Sequence, residues 1–149
     1  FFEFNCTASE VAVDMATGAT SLIKHVTVGD TGRSLNPTQV HAQEDGAAIM
    51  GLGHTLYEHY IFDDEGRVRN LGAIDYRIVT SMDLPLELHS ESIENADGPG
   101  PYGIKGVSEG SLLVTAPAVG AAIREATGTV IRDLPLTPQR VWEAMQEGR

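Results

Sequence analysis

A single cysteine among 149 residues, Cys6, excludes an internal disulfide and any cysteine-built metal cage. Basic side chains are scarce as well. Ten Lys and Arg stand against 21 Asp and Glu, a formal charge of -11, which repels nucleic-acid phosphates and anionic lipid headgroups. Neither nucleic acid nor a membrane surface is an expected partner. No apolar run approaches the roughly 20 residues that a membrane-spanning helix needs. The chain also lacks an internal repeat, a low-complexity tract, a charged-then-apolar secretory leader and an initiator methionine. It opens on Phe1-Phe2-Glu3-Phe4-Asn5, as though cut from a longer polypeptide, and a reducing cytoplasm is the expected compartment.

What is present is an ordinary globular composition, 42% apolar and 21% charged, at a length that suits one domain over residues 1–149. Residues 10–14 and 21–29 read as two strands joined by Met15-Ala16-Thr17-Gly18, a hairpin whose glycine accepts positive φ. A loop follows at Gly29-Asp30-Thr31-Gly32 and Asn36-Pro37. A long helix is then expected from Thr38, as N-cap, to about His59. That helix contains Gly46, Gly51 and Gly53, each costing about 1 kcal/mol relative to alanine, so close backbone packing is the expected compensation. Gly46, Met50, Gly53 and Tyr57 share one stripe and form the expected packed face.

A second hairpin is expected around Asp63-Asp64-Glu65-Gly66, and a half-exposed strand over residues 86–93. Beyond the rigid loop Asp97-Gly98-Pro99-Gly100-Pro101-Tyr102-Gly103, two helical pieces are expected. One opens near Glu109 and one near Ala116-Pro117, closing before Gly128; a last helix opens at Thr137-Pro138. The fold class is α+β: short mixed strands and hairpins with three or four helices.

Several chemistries can be weighed on the residues alone. His54 and Glu58 lie at i, i+4 and could share a helix face, but no third metal ligand has a matching spacing. His25, His41 and His89 fall in three separate segments. Gly51-Leu52-Gly53 resembles half of a dinucleotide fingerprint, yet it sits within a helix rather than in the turn where a phosphate meets free amides. No serine occupies a nucleophile elbow, and Cys6 falls in a segment expected to fray. The informative stretch is Gly103-Ile104-Lys105-Gly106-Val107-Ser108-Glu109-Gly110-Ser111. Its glycines allow close backbone approach to a ligand while a carboxylate is presented where a loop turns into a helix. By itself such a glutamate usually does no more than complement the helix dipole.

The stretch around Glu109 resembles the Gly-x-Lys-Gly-x-Gly-Glu segment of the molybdenum hydroxylases, the xanthine dehydrogenase and aldehyde oxidase family. Further stretches are similar in the same order: Glu10-Val11-Ala12-Val13-Asp14 with Thr17-Gly18, Gly29-Asp30-Thr31-Gly32 through Leu35-Asn36-Pro37, Gln43 to Gly46 with Gly51-Leu52-Gly53, and Asp75-Tyr76-Arg77. Nearly the whole chain is covered. The resemblance implies a C-terminal subdomain of a molybdopterin-binding subunit, related also to the carbon monoxide dehydrogenase large subunit. Glu109 would be the base acting on a molybdenum-bound hydroxyl, and Gln43 a hydrogen-bond partner of the cofactor. No protein side chain would ligate the metal.

The implied reaction oxidises an aldehyde or N-heterocycle with water as the oxygen source. The implied cofactor is molybdopterin, as such or as its cytosine dinucleotide. Iron-sulfur clusters and FAD would reside in partner domains or subunits, since their motifs have no counterpart here, and the remainder of the molybdenum subunit would be a further partner. Two departures stand out: Ser108 where much of the family has glycine, and Met50 where many members carry glutamine. Two other readings remain at this stage, a non-catalytic molybdopterin-binding or assembly module with the same fold, and a metal hydrolase centred on His54 and Glu58.

Overall fold

The computed structural model describes residues 3–147; Phe1 and Phe2, the expected cut end, lie outside them, as do Gly148 and Arg149. The architecture is α+β, a three-stranded mixed sheet with helices packed on one face. Strands β1 (Phe4–Val13) and β2 (Thr20–Asp30) pair antiparallel, with a register shift between Glu10 and Val11. The chain then crosses through helix α1 (Pro37–Leu56) and returns as β3 (Glu87–Ile93), parallel to β2, because a parallel neighbour requires a crossover rather than a hairpin. Helices α2 (Gly110–Thr127) and α3 (Pro138–Glu147) complete the domain.

The hairpin forms as the turn chemistry requires. Gly18 has φ +74° and its amide reaches Asp14 O at 2.7 Å, while Asp14 Oδ1 accepts from Ala16 N at 2.8 Å. A Cβ on Gly18 would also stand 2.6 Å from Trp142 N, so this glycine is where α3 lies against the turn.

β1 is twice the length expected from the pattern. Its inward positions at the start are Asn5, Thr7 and Ser9, so the alternation is real but invisible to hydrophobicity. Opposite them on β2 lie Gly29, Thr27 and His25. The inner face of the sheet therefore divides. At the hairpin end, Leu22 joins an apolar core with Leu52, Leu56, Val119 and Ile123. At the other end a ladder of hydroxyls and amides lies beneath the first turns of α1 and α2. The stripe buried on α2, Ser111, Thr115, Val119 and Ile123, follows the same gradient from polar to apolar.

Several expectations change. The N-cap of α1 is Asn36, whose Oδ1 accepts from Gln39 N at 3.3 Å with Pro37 in the first turn; Thr38 is already helical, and His59 lies beyond the helix end. The face of α1 that packs carries Glu44, Ala48, Gly51, Leu52 and Thr55, whereas Gly46 and Met50 are exposed. Residues 110–127 form one helix, not two pieces. Pro117 removes only the bond to Leu113 O, and both residues are exposed, so water can take that carbonyl. The second hairpin is reduced to one bridge, Phe62 to Val68, around the expected turn.

Candidate active site

Glu109 occupies the N-cap position of α2, with φ -121° and ψ 8°, and its side chain makes no capping hydrogen bond. Its carbonyl accepts Leu113 N at 3.1 Å, which opens the helix, and the carboxylate is exposed. The loop leading to it is fastened by Lys105. That side chain, only 7% exposed, places Nζ 2.8 Å from Asp30 Oδ2 and 2.9 Å from Asp97 Oδ1. Backbone bonds from Lys105 N to Thr31 O and from Arg33 N to Gly103 O tie the same loop to the segment after β2. The Lys105 ammonium, with help from Asn95, holds the Asp30 carboxyl down at about 2. The ion pair is therefore intact at neutral pH.

The glycines of this stretch do not all serve a ligand. Gly103 has φ +80° and a Cβ there would stand 2.5 Å from Ala96 O, so it is needed by the chain's own loop. Gly110 lies on Asn5 and Glu3, whose Cγ and Cδ would be 2.7 and 2.8 Å from an added Cβ. Gly106 alone of the three faces open space. Ser108 is exposed and does not cap α2 with its hydroxyl.

Gln43 is exposed on α1. Its neighbour Glu44, 2% exposed, accepts the hydroxyl of Ser111. Thr115 Cβ would lie 2.7 Å from a Cβ on Gly51, so the contacts advance in the same sense along both helices and the start of α2 lies beside the early turns of α1. Gln43 and Glu109, one and two residues from the Glu44–Ser111 bond, flank that junction.

Beneath the junction lies a buried polar cluster that the sequence reading missed. Thr7 Oγ1 donates to Thr27 Oγ1 at 3.0 Å, Thr27 Oγ1 to Ser111 Oγ at 3.0 Å, and Ser111 to Glu44. Glu3 reaches Glu44 from β1's edge. Burial first, and then the hydrogen bond with Glu44, push the Glu3 carboxyl up to about 7, against the opposing pulls of Asn5 and the Ser108 N–H. Alongside, fully buried His25 is held between Ser9 Oγ at 2.9 Å and Thr115 Oγ1 at 3.4 Å, and burial lowers its pKa. The sequence signal was available in part, since Glu44 shares the helix face of Ala48, Gly51 and Thr55.

The alternative metal pair is not assembled. Glu58 Oε2 accepts the Tyr76 hydroxyl at 2.9 Å, while His54 is exposed. Among the described residues no group of three or more His, Cys, Asp and Glu could hold a metal ion, and no helix is long and apolar enough to cross a membrane. Cys6 lies within β1, not in a frayed end, and is exposed.

Residues 1–85 match the family described as molybdopterin cofactor-binding domain. The xanthine dehydrogenase molybdenum-binding subunit of Escherichia coli O157:H7 is 37% identical over 141 residues, covering 94% of this chain and 19% of that protein. Quinoline 2-oxidoreductase from Pseudomonas putida 86 superposes with a TM-score of 0.82 at 34% identity, over 92% of this chain and 18% of that one. Aldehyde oxidoreductase from Desulfovibrio gigas gives 0.86 at 28% identity, over 97% and 15%. This chain thus spans a fifth or less of the length of these relatives.

Proposed function

Because this chain belongs to the molybdopterin cofactor-binding family, among the molybdenum hydroxylases, we propose that it is the C-terminal part of a molybdenum subunit, with Glu109 as catalytic base and Gln43 as a ligand of the pterin. The residues present fit such a group. Gln43 offers an amide that can donate and accept at a pterin edge, and Glu109 offers a carboxylate that makes no bond to its own helix. A cofactor whose own dithiolene sulfurs hold the metal needs no histidine or cysteine set from the protein.

When bound, the cofactor would supply an oxygen replenished from water and take up the two electrons of the oxidation. Glu109 accepts the proton of the reacting hydroxyl on a carboxylate oxygen. The loop that leads to it is fastened by Lys105 to Asp30 and Asp97, which fixes the backbone from which the carboxylate meets the reacting group. The substrate is an aldehyde or N-heterocycle, and the electrons pass to iron-sulfur and flavin subunits of a cytoplasmic complex. The remainder of the molybdenum subunit supplies the other wall of the site.

The observation that carries this reading is the exposed, uncapped carboxylate of Glu109 at a helix start, beside the helix that carries Gln43. In the assembled complex, Glu109→Gln should lower turnover by about 10²–10⁴-fold with molybdenum content unchanged. Turnover within a few-fold of wild type would instead leave a cofactor-binding or assembly module without base chemistry. Stoichiometric molybdenum and hydroxylation by this chain alone would refute its being part of a larger subunit.

A further inference from the structure

We propose that Glu3 and Glu44 are positioning residues for Glu109: a buried carboxyl pair that clamps the first turn of α2 while one proton is shared between them. The inference rests on the reading of Glu109 as the base.

The geometry is that of a two-point clamp. Glu3 packs on Gly110, where an added Cβ would stand 2.8 Å from its Cδ, and Glu44 takes the hydroxyl of Ser111. Glu109 directly precedes these two points. Two glycines leave the room that the pair occupies. A Cβ on Gly29 would stand 2.9 Å from Glu44 Oε1 and 3.3 Å from Glu3 Oε1, and one on Gly110 would stand 2.8 Å from Glu3 Cδ.

Glu3 Oε1 and Glu44 Oε1 are buried and neither has a donor among the described groups. Two carboxylate oxygens facing each other are both acceptors, and Asn5 Nδ2, an unpaired buried donor beside Glu3, can serve only one side, so the remaining conflict is relieved when one carboxyl keeps its proton and donates it to the other. Burial, and then the neighbouring Glu44 carboxyl, raise the Glu3 pKa, which favours a retained proton in the pair. Glu44 already accepts from Ser111.

Among the described residues neither carboxyl has an ion-pair partner to compensate a second negative charge. On β2, Asp30 is matched by Lys105 and His25 is kept neutral by burial. On α1, Asp45 is bonded to Ser90 of β3 and stands 3.8 Å from His41. On α2 the nearest charge is Glu109 itself. The helix N-terminus favours one buried negative charge beneath it, not two in contact. When the shared proton leaves, near neutral pH, the carboxyls repel, the contacts at Gly110 and Ser111 cannot both be kept, and the carboxylate of Glu109 loses its fixed position.

The test uses the assembled enzyme and two readouts over pH 6–9: steady-state turnover, and hydrogen-exchange protection of the amides of residues 108–113. Wild type should lose protection about 10-fold and turnover about 10-fold across this range. Glu3→Gln keeps a donor to Glu44 and the packing on Gly110 without a titrating proton. It should retain neutral-pH turnover within about 2-fold and flatten both profiles. Glu3→Ala removes the clamp, and should show low protection and reduced kcat at every pH with KM little changed.

A wild-type protection profile without a step, or a Glu3→Gln profile that keeps the wild-type step, overturns the proposal. Glu109→Gln separates the two readings. If it leaves turnover intact, the base assignment fails, while the protection step in the same variant still reports on the clamp.

Discussion

The three glycines of α1 allow the packing argument to be tested with one substitution at three depths. Glycine in a helix interior costs about 1 kcal/mol relative to alanine, so Gly→Ala gains that amount wherever a methyl group has room. At Gly46 the added Cβ meets nothing within 4 Å, and the full gain of about 1 kcal/mol is expected, a rise in Tm of roughly 2–4 °C for a domain of this size. At Gly53 the Cβ meets the Glu58 carboxylate, the far end of a flexible side chain, and Val79 at 3.0 Å. There Glu58 can turn away at the cost of its bond to Tyr76, which offsets most of the gain, so Gly53→Ala should be within about 0.5 kcal/mol of neutral.

At Gly51 the Cβ stands 2.7 Å from Thr115 Cβ and 3.1 Å from Leu112 O. Neither atom can yield. Thr115 is fully buried and β-branched, its hydroxyl is bonded to Ser111 O at 2.7 Å, and Leu112 O is helix backbone. Overpacking of about 1–3 kcal/mol then outweighs the helix gain of about 1 kcal/mol, leaving a net loss of up to about 2 kcal/mol. Urea unfolding followed by circular dichroism measures all three variants in parallel. The expected order of stability is Gly46→Ala, then Gly53→Ala, then Gly51→Ala, with about 1–3 kcal/mol between the extremes. A Gly51→Ala variant as stable as Gly46→Ala would refute the close approach of α1 and α2.

Two other outcomes follow from the packing and the ion pairs. Leu52 is 1% exposed in the apolar half of the core, so Leu52→Ala should cost about 2–5 kcal/mol in the same unfolding measurement. Asp30 is held at about 2 by Lys105, so its contribution to the folded state is present above the ordinary aspartate range and is lost as pH falls from about 4 to 2. In Lys105→Met that acid-side loss should shrink, as seen in the unfolding midpoint between pH 5 and pH 2. An unchanged acid limb would show that the loop is fastened by its backbone bonds alone.

The order of family motifs, the hairpin at Gly18, the existence of α1 and the loop-to-helix junction at Glu109 were legible in the sequence, because each is local. Turn glycines, caps and a period of 3.6 report the conformation of the residues that carry them. Even there the reach was limited. Asn36-Pro37 is a ready N-cap and first turn, yet Thr38 looked equally suitable, and Pro117 looked like a helix start until the exposure of Leu113 showed that the lost bond faces solvent.

The first half of β1 and the junction beneath Glu109 were decided by the tertiary structure. Asn5, Thr7 and Ser9 point inward, so the alternation that would mark a strand carries no hydrophobic signal. Hydrophobic periodicity assumes that the inside is apolar, and here one end of the inside is built from hydroxyls, an imidazole and two carboxyls. Glu44 is an unremarked letter beside Gln43 until α2 covers it and β1 brings Glu3 against it. A carboxyl's pKa depends on what surrounds it in space, and Glu3, Glu44 and Ser111 are neighbours only once three separate elements have packed. The sequence alone determined that Glu109 stands at a glycine-flanked helix start and that its surroundings follow the motif order of the molybdenum hydroxylases. Only the fold decided what lies beneath that helix start.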